Sequence, residues 1–328
     1  MEYRRLGKSG LKVSRITLGC MSYGVPERGA HPWTLDEQAS RPFIAQALEL
    51  GINTFDTSNS YSDGTSEEIV GRTLLDMAKR DEIVLCTKVF YPLRSGPHAR
   101  GLSRKSICAE VEASLKRLGT DFIDLYQIHR WDYETPIEET LAALDGLVRS
   151  GKVRYLGASS MHAWQFCKAL YTADKLGLSR FISMQDHYNL IYREEEREMY
   201  PLCQAEGIGV LPWSPLARGR LARAWSERDA TQRAATDEYG KTLYTQAEES
   251  DRAVIERVGQ IASARGVSRA QVALAWMLTQ PAVTSPIVGA TKPDHLTDAL
   301  AATSLKLSAD ELAKLAEPYV PHGVVGYQ

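Results

Sequence analysis

Hydrophobic positions along the chain fall into two patterns that alternate. Short runs rich in β-branched and aromatic residues occur at Ile16–Gly19, Asn53–Asp56, Ile83–Val89, Phe122–His129, Lys152–Ser159, Phe181–Gln185, Ile208–Trp213 and Ser285–Gly289. Most are apolar on consecutive positions, as in parallel strands covered on both faces. Between them, apolar residues recur at helical spacing. Ile107, Val111, Leu115 and Leu118 form one stripe, with Lys105, Glu112 and Lys116 off it. Ile137, Leu141, Leu144 and Val148 form a second, and Val254, Val258 and Ile261 a third. Ser103 stands where a helix cap belongs, and Thr135-Pro136 predicts proline at a first helical position. Gly51, Gly119, Gly151, Gly177, Gly207 and Gly266 follow helical stretches, where a left-handed cap favours glycine. Eight strand-then-helix units predict an α/β fold, a closed (β/α)8 TIM barrel.

Some segments break the repeat. Tyr3–Arg5 and Lys12–Ser14 flank Gly7-Lys8-Ser9-Gly10, which predicts an N-terminal β-hairpin plugging the barrel bottom. Phe90–Leu102 and Ser214–Ser250 are long, irregular and follow predicted strands, so both are expected at the C-terminal mouth. The second is expected to close over a bound ligand. The tail after Pro318 is irregular, and Glu194–Glu196, between Arg193 and Arg197, reads as a solvated helix start. One domain over residues 1–328 is the economical organisation.

Composition narrows the class. At 328 residues and 44% hydrophobic, the chain can bury a large core without disulfides or metal. A net charge of -2 gives no basic surplus for nucleic acid. Cys20, Cys86, Cys108, Cys167 and Cys203 form no C-x-x-C pair; three lie in apolar stretches and predict buried thiols. The seven histidines show no H-x-H or H-x-x-x-H spacing, against a metal hydrolase. No membrane span or secretion signal is evident, so a cytoplasmic protein is expected.

Candidate chemistry sits at strand ends. Asp56 ends the second barrel strand, Lys88 lies near the end of the third, His129 ends the fourth, and Tyr61 follows Asp56 by five residues. Taken singly, each has an ordinary structural explanation. Together they suggest a proton-donor device: Lys88 would lower the pKa of the Tyr61 phenol, Asp56 would hold the lysine, and His129 would direct a carbonyl oxygen. Lys88 is also a candidate for Schiff-base chemistry. No G-x-G-x-x-G follows a predicted strand, which disfavours a Rossmann domain but not a nicotinamide cofactor. Barrels hold phosphates with the loops after strands seven and eight, here Trp213–Arg220 and Gly289–His295.

Asn53-Thr54-Phe55-Asp56-Thr57-Ser58-Asn59-Ser60-Tyr61-Ser62, with Thr87-Lys88 and Gln127-Ile128-His129, resembles the aldo-keto reductase signature. The resemblance runs from Leu6–Leu11 to Pro286–Gly289. Gln185–Leu190 and Trp213–Leu216 are similar to the branch holding aryl-alcohol dehydrogenase-like enzymes and potassium-channel β subunits; Arg130–Tyr133 and Tyr192–Arg197 resemble its bacterial YajO-type members. The resemblance implies a catalytic tetrad of Asp56, Tyr61, Lys88 and His129, and NADP(H) in preference to NAD(H). It implies Ser159, Ser160 and Gln185 on the nicotinamide, with Met21 and Asp56 close by and Trp213 or Tyr188 stacked near the ring. Ser214, Pro215, Leu216 and Arg218 would face the pyrophosphate; Gly289, Thr291, Lys292, His295 and Asp298 would face the adenosine 2′-phosphate. Tyr23, Trp33, Phe90, Trp131 and Tyr133 would line a pocket for an aromatic or medium aliphatic carbonyl. Arg94, Arg100, Arg193 and Arg218 leave a phosphorylated or carboxylated substrate open. The expected activity is NADP(H)-dependent carbonyl reduction. The other readings are a barrel lyase or synthase, including 1-deoxyxylulose 5-phosphate formation, and a redox-sensing subunit with little turnover. A homo-oligomer is left open.

Overall fold

A computed structural model describes residues 1–29, 31–228, 230–244 and 247–327. Two strands, β1 (Tyr3–Arg5) and β2 (Lys12–Ser14), form an antiparallel hairpin. Eight more are parallel: β3 (Thr17–Gly19), β4 (Thr54–Asp56), β5 (Val84–Val89), β6 (Ile123–Ile128), β7 (Val153–Ser159), β8 (Phe181–Gln185), β9 (Gly209–Val210) and β10 (Ile287–Gly289). Their order is β10-β3-β4-β5-β6-β7-β8-β9. The ring closes beyond the ladder ends: Thr284 N donates to Val210 O at 2.9 Å and Ile287 N to Pro212 O at 2.8 Å. The expected (β/α)8 barrel is the architecture, although most strands are shorter than their apolar runs, β9 by four residues. Around β9 the chain pairs on both sides through single bonds, such as Trp213 N to Asp186 O at 2.7 Å, rather than a continuous ladder.

Helices α1 (Glu37–Glu49), α2 (Thr65–Met77), α3 (Arg104–Leu118), α4 (Ile137–Arg149), α5 (Ala163–Leu176) and α6 (Met199–Glu206) follow successive strands; α7 (Gln232–Thr236) and α8 (Glu238–Tyr244) lie in the long insert. The chain ends with α9 (Glu248–Arg265), α10 (Arg269–Leu278), α11 (Pro293–Ala302) and α12 (Ala309–Ala316). The sequence signals act as read at most boundaries. Ser103 accepts from Ser106 N, and Gly119, Gly177, Gly207 and Gly266 close their helices with φ between 63° and 71°. Pro136 is the exception: its ψ of 134° places it at the N-cap, one residue before the helix.

The hairpin is a plug. Leu6 and Val13 are fully buried against Val84 and Cys86 of β5, Leu125 of β6, Leu211 just after β9 and Ile287 of β10. Alternation along β5 and β6 then turns Lys88 and Gln127 into the same lumen, one or two layers higher. The lumen is therefore apolar at the bottom and polar at the top. Leu6→Ala should lower folding stability by about 2–4 kcal/mol, read as a drop in the urea midpoint; an unchanged midpoint would place the hairpin outside the cooperative core.

Candidate active site

Lys88 is fully buried, and its ammonium has three acceptors. It donates to Asp56 Oδ1 at 2.5 Å, to the Thr57 carbonyl at 2.8 Å and to Tyr61 Oη at 3.2 Å. Those acceptors match its three N–H bonds. The other carboxylate oxygen, Asp56 Oδ2, accepts from Gln127 Nε2 and Gln185 Nε2, both at 2.9 Å; Gln185 Nε2 also reaches Gln127 Oε1 at 3.1 Å. Four side chains from β4, β5, β6 and β8 thus meet across the lumen. Gly157 on β7 leaves them room: a Cβ there would come within 2.9 Å of Gln127 Cγ.

Burial works against the charged Lys88, but Asp56 and Tyr61 outweigh it and hold its pKa above the ordinary value. Burial also raises the Tyr61 phenol, which Lys88 only partly offsets. The expected direction is therefore reversed: enclosure outweighs the lysine, and the phenol keeps its proton through neutral pH. His129 is held well below its usual value by burial, then by Lys88 and Arg130, so it is neutral. Its Nδ1 lies 3.2 Å from Ser58 Oγ, and its ring meets Tyr61 edge-on at 6.0 Å.

Tyr61 is held by a tight turn. Ser62 and Asp63 beside it have φ of 47° and 50°, and Ser160, Ser214, Ala217 and Arg218 share that left-handed region. All six non-glycine residues with positive φ among those described follow the C-terminal ends of β4, β7 and β9. Such strain gathers where a site over-determines the backbone. Asn59 ties this turn to its neighbours by donating to Glu110 Oε2 and to the Tyr91 carbonyl, each at 3.2 Å.

The proposed nicotinamide residues Ser159, Ser160 and Gln185 lie at the ends of β7 and β8, with Ser159 paired to Gln185 in register. Ser159 and Ser160 hydroxyls are 3.1 Å apart, and Trp213 Nε1 donates to Ser160 Oγ at 3.1 Å. The Gln185 amide nitrogen is committed to Asp56, which leaves its oxygen for any further partner. Met21 is half-buried in the turn after β3. Tyr188 does not reach this face: it is fully buried between Tyr200 and Trp276 and donates to Glu196 at 2.6 Å. His187 instead stacks on Trp213 at 4.4 Å, a contact the sequence pattern did not signal.

After β9, Ser214, Pro215 and Leu216 lead into a turn over Ala217–Ala222. Arg218 is ion-paired with Asp237 of the insert, and Arg233 shares that carboxylate at 3.4 Å. Burial works to raise the Asp237 carboxyl, yet the two arginines hold it below its usual range. Arg218 Nε and Arg220 Nη1 remain enclosed without hydrogen-bond partners, as a cradle for an oxyanion would leave them. After β10, Lys292 is exposed at the N-cap of α11, and His295 Nδ1 accepts from Thr291 N at 3.3 Å. Burial, then Lys292 and Arg223, keep His295 neutral; the charge here is that of Lys292 and Arg223, the latter missed in the sequence. Asp298 accepts from Gln271 at 2.7 Å, a helix-to-helix bond between α10 and α11.

The aromatic pocket is only partly as expected. Tyr23 is core, stacked on Phe43 and donating to Ala290 O at 3.0 Å. Trp33 lies under the Arg233 guanidinium at 4.2 Å, bracing the insert. Phe90 packs edge-on against Tyr91 with Arg100 above it. Trp131 and Tyr133 line a cavity of about 280 Å³ with Trp164 and Lys168, which Tyr61 and His129 do not line. The ring beside His129 is Tyr91, at 4.9 Å. Nor is the Glu194–Glu196 run solvated: the C-terminal tail covers it, with Tyr319 Oη and His322 N donating to Glu194 and Tyr327 Oη to Glu195.

Residues 15–319 match the Aldo/keto reductase family. The chain is 47% identical to the versiconal hemiacetal acetate reductase of Aspergillus parasiticus, over 99% of this chain and 98% of that one. It is 43% identical to an aldo-keto reductase of Metarhizium robertsii (100% and 93% covered) and 45% identical to a candidate aryl-alcohol dehydrogenase of Schizosaccharomyces pombe (99% and 97%). The chain belongs to the aldo/keto reductase family and is an oxidoreductase. The family generally uses NADP(H). Among the described residues no helix is long and apolar enough to cross a membrane, and none form a metal-binding cluster. Asp237→Asn should unpair Arg218 and Arg233, lower stability by about 3 kcal/mol and open the 214–250 insert to trypsin; unchanged proteolysis would show that this carboxylate does not hold the insert.

Proposed function

We propose that the chain reduces an aldehyde or ketone to an alcohol with NADPH, Tyr61 delivering the proton. The observation that carries this reading is the ammonium of Lys88 held between the Asp56 carboxylate at 2.5 Å and the Tyr61 hydroxyl at 3.2 Å, at the mouth of the barrel. When bound, NADPH supplies the hydride that the substrate carbon accepts. Lys88 already donates to Tyr61 Oη, so the phenol's own hydrogen is free to point at a carbonyl oxygen. As the oxygen gains charge, Tyr61 passes its proton across, and the fixed ammonium stabilises the phenolate left behind. Asp56, pinned by Gln127 and Gln185, keeps the ammonium in place. Neutral His129, oriented at Nδ1 by Ser58, presents its other ring nitrogen to the carbonyl oxygen.

The residues present fit the cofactor. Arg218 Nε and Arg220 Nη1, enclosed without hydrogen bonds although Arg220 lies 3.7 Å from Glu248, suit a pyrophosphate, and Lys292 with Arg223 gives the start of α11 the charge a 2′-phosphate needs. Relatives named as a hemiacetal acetate reductase and as candidate aryl-alcohol dehydrogenases favour an aryl or hemiacetal-forming carbonyl compound as substrate. A Schiff base on Lys88 is disfavoured, because its three hydrogens are all engaged and it stays protonated. A YajO-type synthase reading gains nothing from Tyr192–Arg197, which the tail covers.

Tyr61→Phe should lower kcat for a small aldehyde by about 10²–10⁴-fold while leaving the Kd for NADPH essentially unchanged; equal turnover by the variant would remove the mechanism. Lys292→Ala should narrow the NADPH-over-NADH preference by about fivefold, measured as the ratio of kcat/KM for the two cofactors. An unmoved ratio would reject that phosphate contact.

A further inference from the structure

Arg130 is a buried cation without a counter-ion. It is 6% exposed, and no carboxylate among the described residues pairs with it. Nη1 donates to the His129 carbonyl at 2.6 Å, Nη2 donates to the Tyr239 hydroxyl at 3.2 Å, and Nε has no hydrogen-bond partner. Several other enclosed arginines among the described residues have acceptors for most of their charge, Arg15 from carbonyls alone. Arg117 reaches Glu67 at 2.6 Å, Arg80 reaches Asp124 at 2.7 Å, and Arg218 pairs with Asp237. Arg15 donates to the carbonyls of Leu278, Val283 and Thr284. An unpaired charge in an enclosed place is costly, and a protein keeps one where a ligand brings the opposite charge.

Its place says which ligand. Arg130 follows His129 directly, and its guanidinium lies 5.6 Å from the centre of the Tyr91 ring, which itself packs on His129. Its positive charge acts on the Tyr61 phenol, the Tyr91 phenol and the His129 ring. It follows β6, and although the Tyr239 ring it bonds also lies under the Arg218 guanidinium at 5.2 Å, its own contacts with the His129 carbonyl and the Tyr91 ring are on the Tyr61 side. The anion it awaits is therefore on the substrate side. We propose that Arg130 binds an oxyanion carried by the substrate, so that the enzyme selects carbonyl compounds bearing a carboxylate or phosphate one aromatic ring's length from the reacting carbon. This rests on the reductase reading above. The planar fork of the guanidinium suits either oxyanion. Tyr239, on α8 of the insert, holds the place of the anion with its hydroxyl, and substrate entry displaces it.

The test compares three aldehydes with NADPH: 4-formylbenzoate, 4-formylphenyl phosphate and the neutral methyl 4-formylbenzoate. The readout is the ratio of kcat/KM for each anion to that for the ester. Wild-type enzyme should favour at least one anion, and whichever leads identifies carboxylate or phosphate as the natural group. Arg130→Gln should cut that ratio by about 30-fold or more, mainly through KM, and Arg130→Lys should restore part of it. Equal losses on all three aldehydes, or an unchanged ratio, would mean that Arg130 only braces the insert. Absence of turnover of every aldehyde by wild type would overturn the reductase reading and this proposal with it.

Discussion

The site depends on one buried ion pair. An ammonium deep in a barrel loses its hydration, and what replaces it here is the Asp56 carboxylate at 2.5 Å with a backbone carbonyl and a phenol completing its coordination. Removing one partner of such a pair leaves the other uncompensated, at about 3–5 kcal/mol. The carboxylate is in turn fixed by two glutamine amides from strands on the other side of the lumen. The polar upper layer of the barrel is thus one connected network, and the apolar lower layer, sealed by the hairpin, keeps water from it.

Within that network, burial and charge oppose each other at the phenol. Lysine favours the phenolate, yet enclosure raises the Tyr61 pKa on balance. For an acid this is a useful outcome. A phenol that stays protonated carries the proton to be given, and a fixed ammonium lowers the cost of giving it. The neighbouring imidazole is kept neutral by the same enclosure, so it can direct a carbonyl oxygen without adding a second charge.

The mouth is built from segments far apart in the chain. Within the insert Asp237 ties Arg218 to Arg233, and Arg233 carries the segment onto Trp33. The tail crosses the β8 side, burying Glu194 and Glu195 and laying Gly326 against Trp213. Between them stands Arg130, hydrogen-bonded to Tyr239 of the insert. The carboxylates fasten the mouth while this arginine is left without one, and that asymmetry points to the substrate.

Local patterning along the chain was enough to determine the barrel. Periods of hydrophobic residues, glycine caps and the hairpin turn depend on neighbours a few residues away, and the strands, most helix ends and the plug formed where those signals lay. That Asp56, Tyr61, Lys88 and His129 come together at the mouth was also legible, because a strand's end carries its residue there whatever the rest of the chain does. What each group faces is a different matter. Gln127 lay inside a recognised motif, but its grip on Asp56 depends on lumen geometry. Tyr23 and Tyr188 are aromatic residues near strand ends that packing turned into the core, and Arg218 was claimed by a carboxylate nineteen positions away. Only the tertiary structure decided these, since burial and long-range pairing set both pKa direction and side-chain partner, and neither leaves a periodic trace in the sequence.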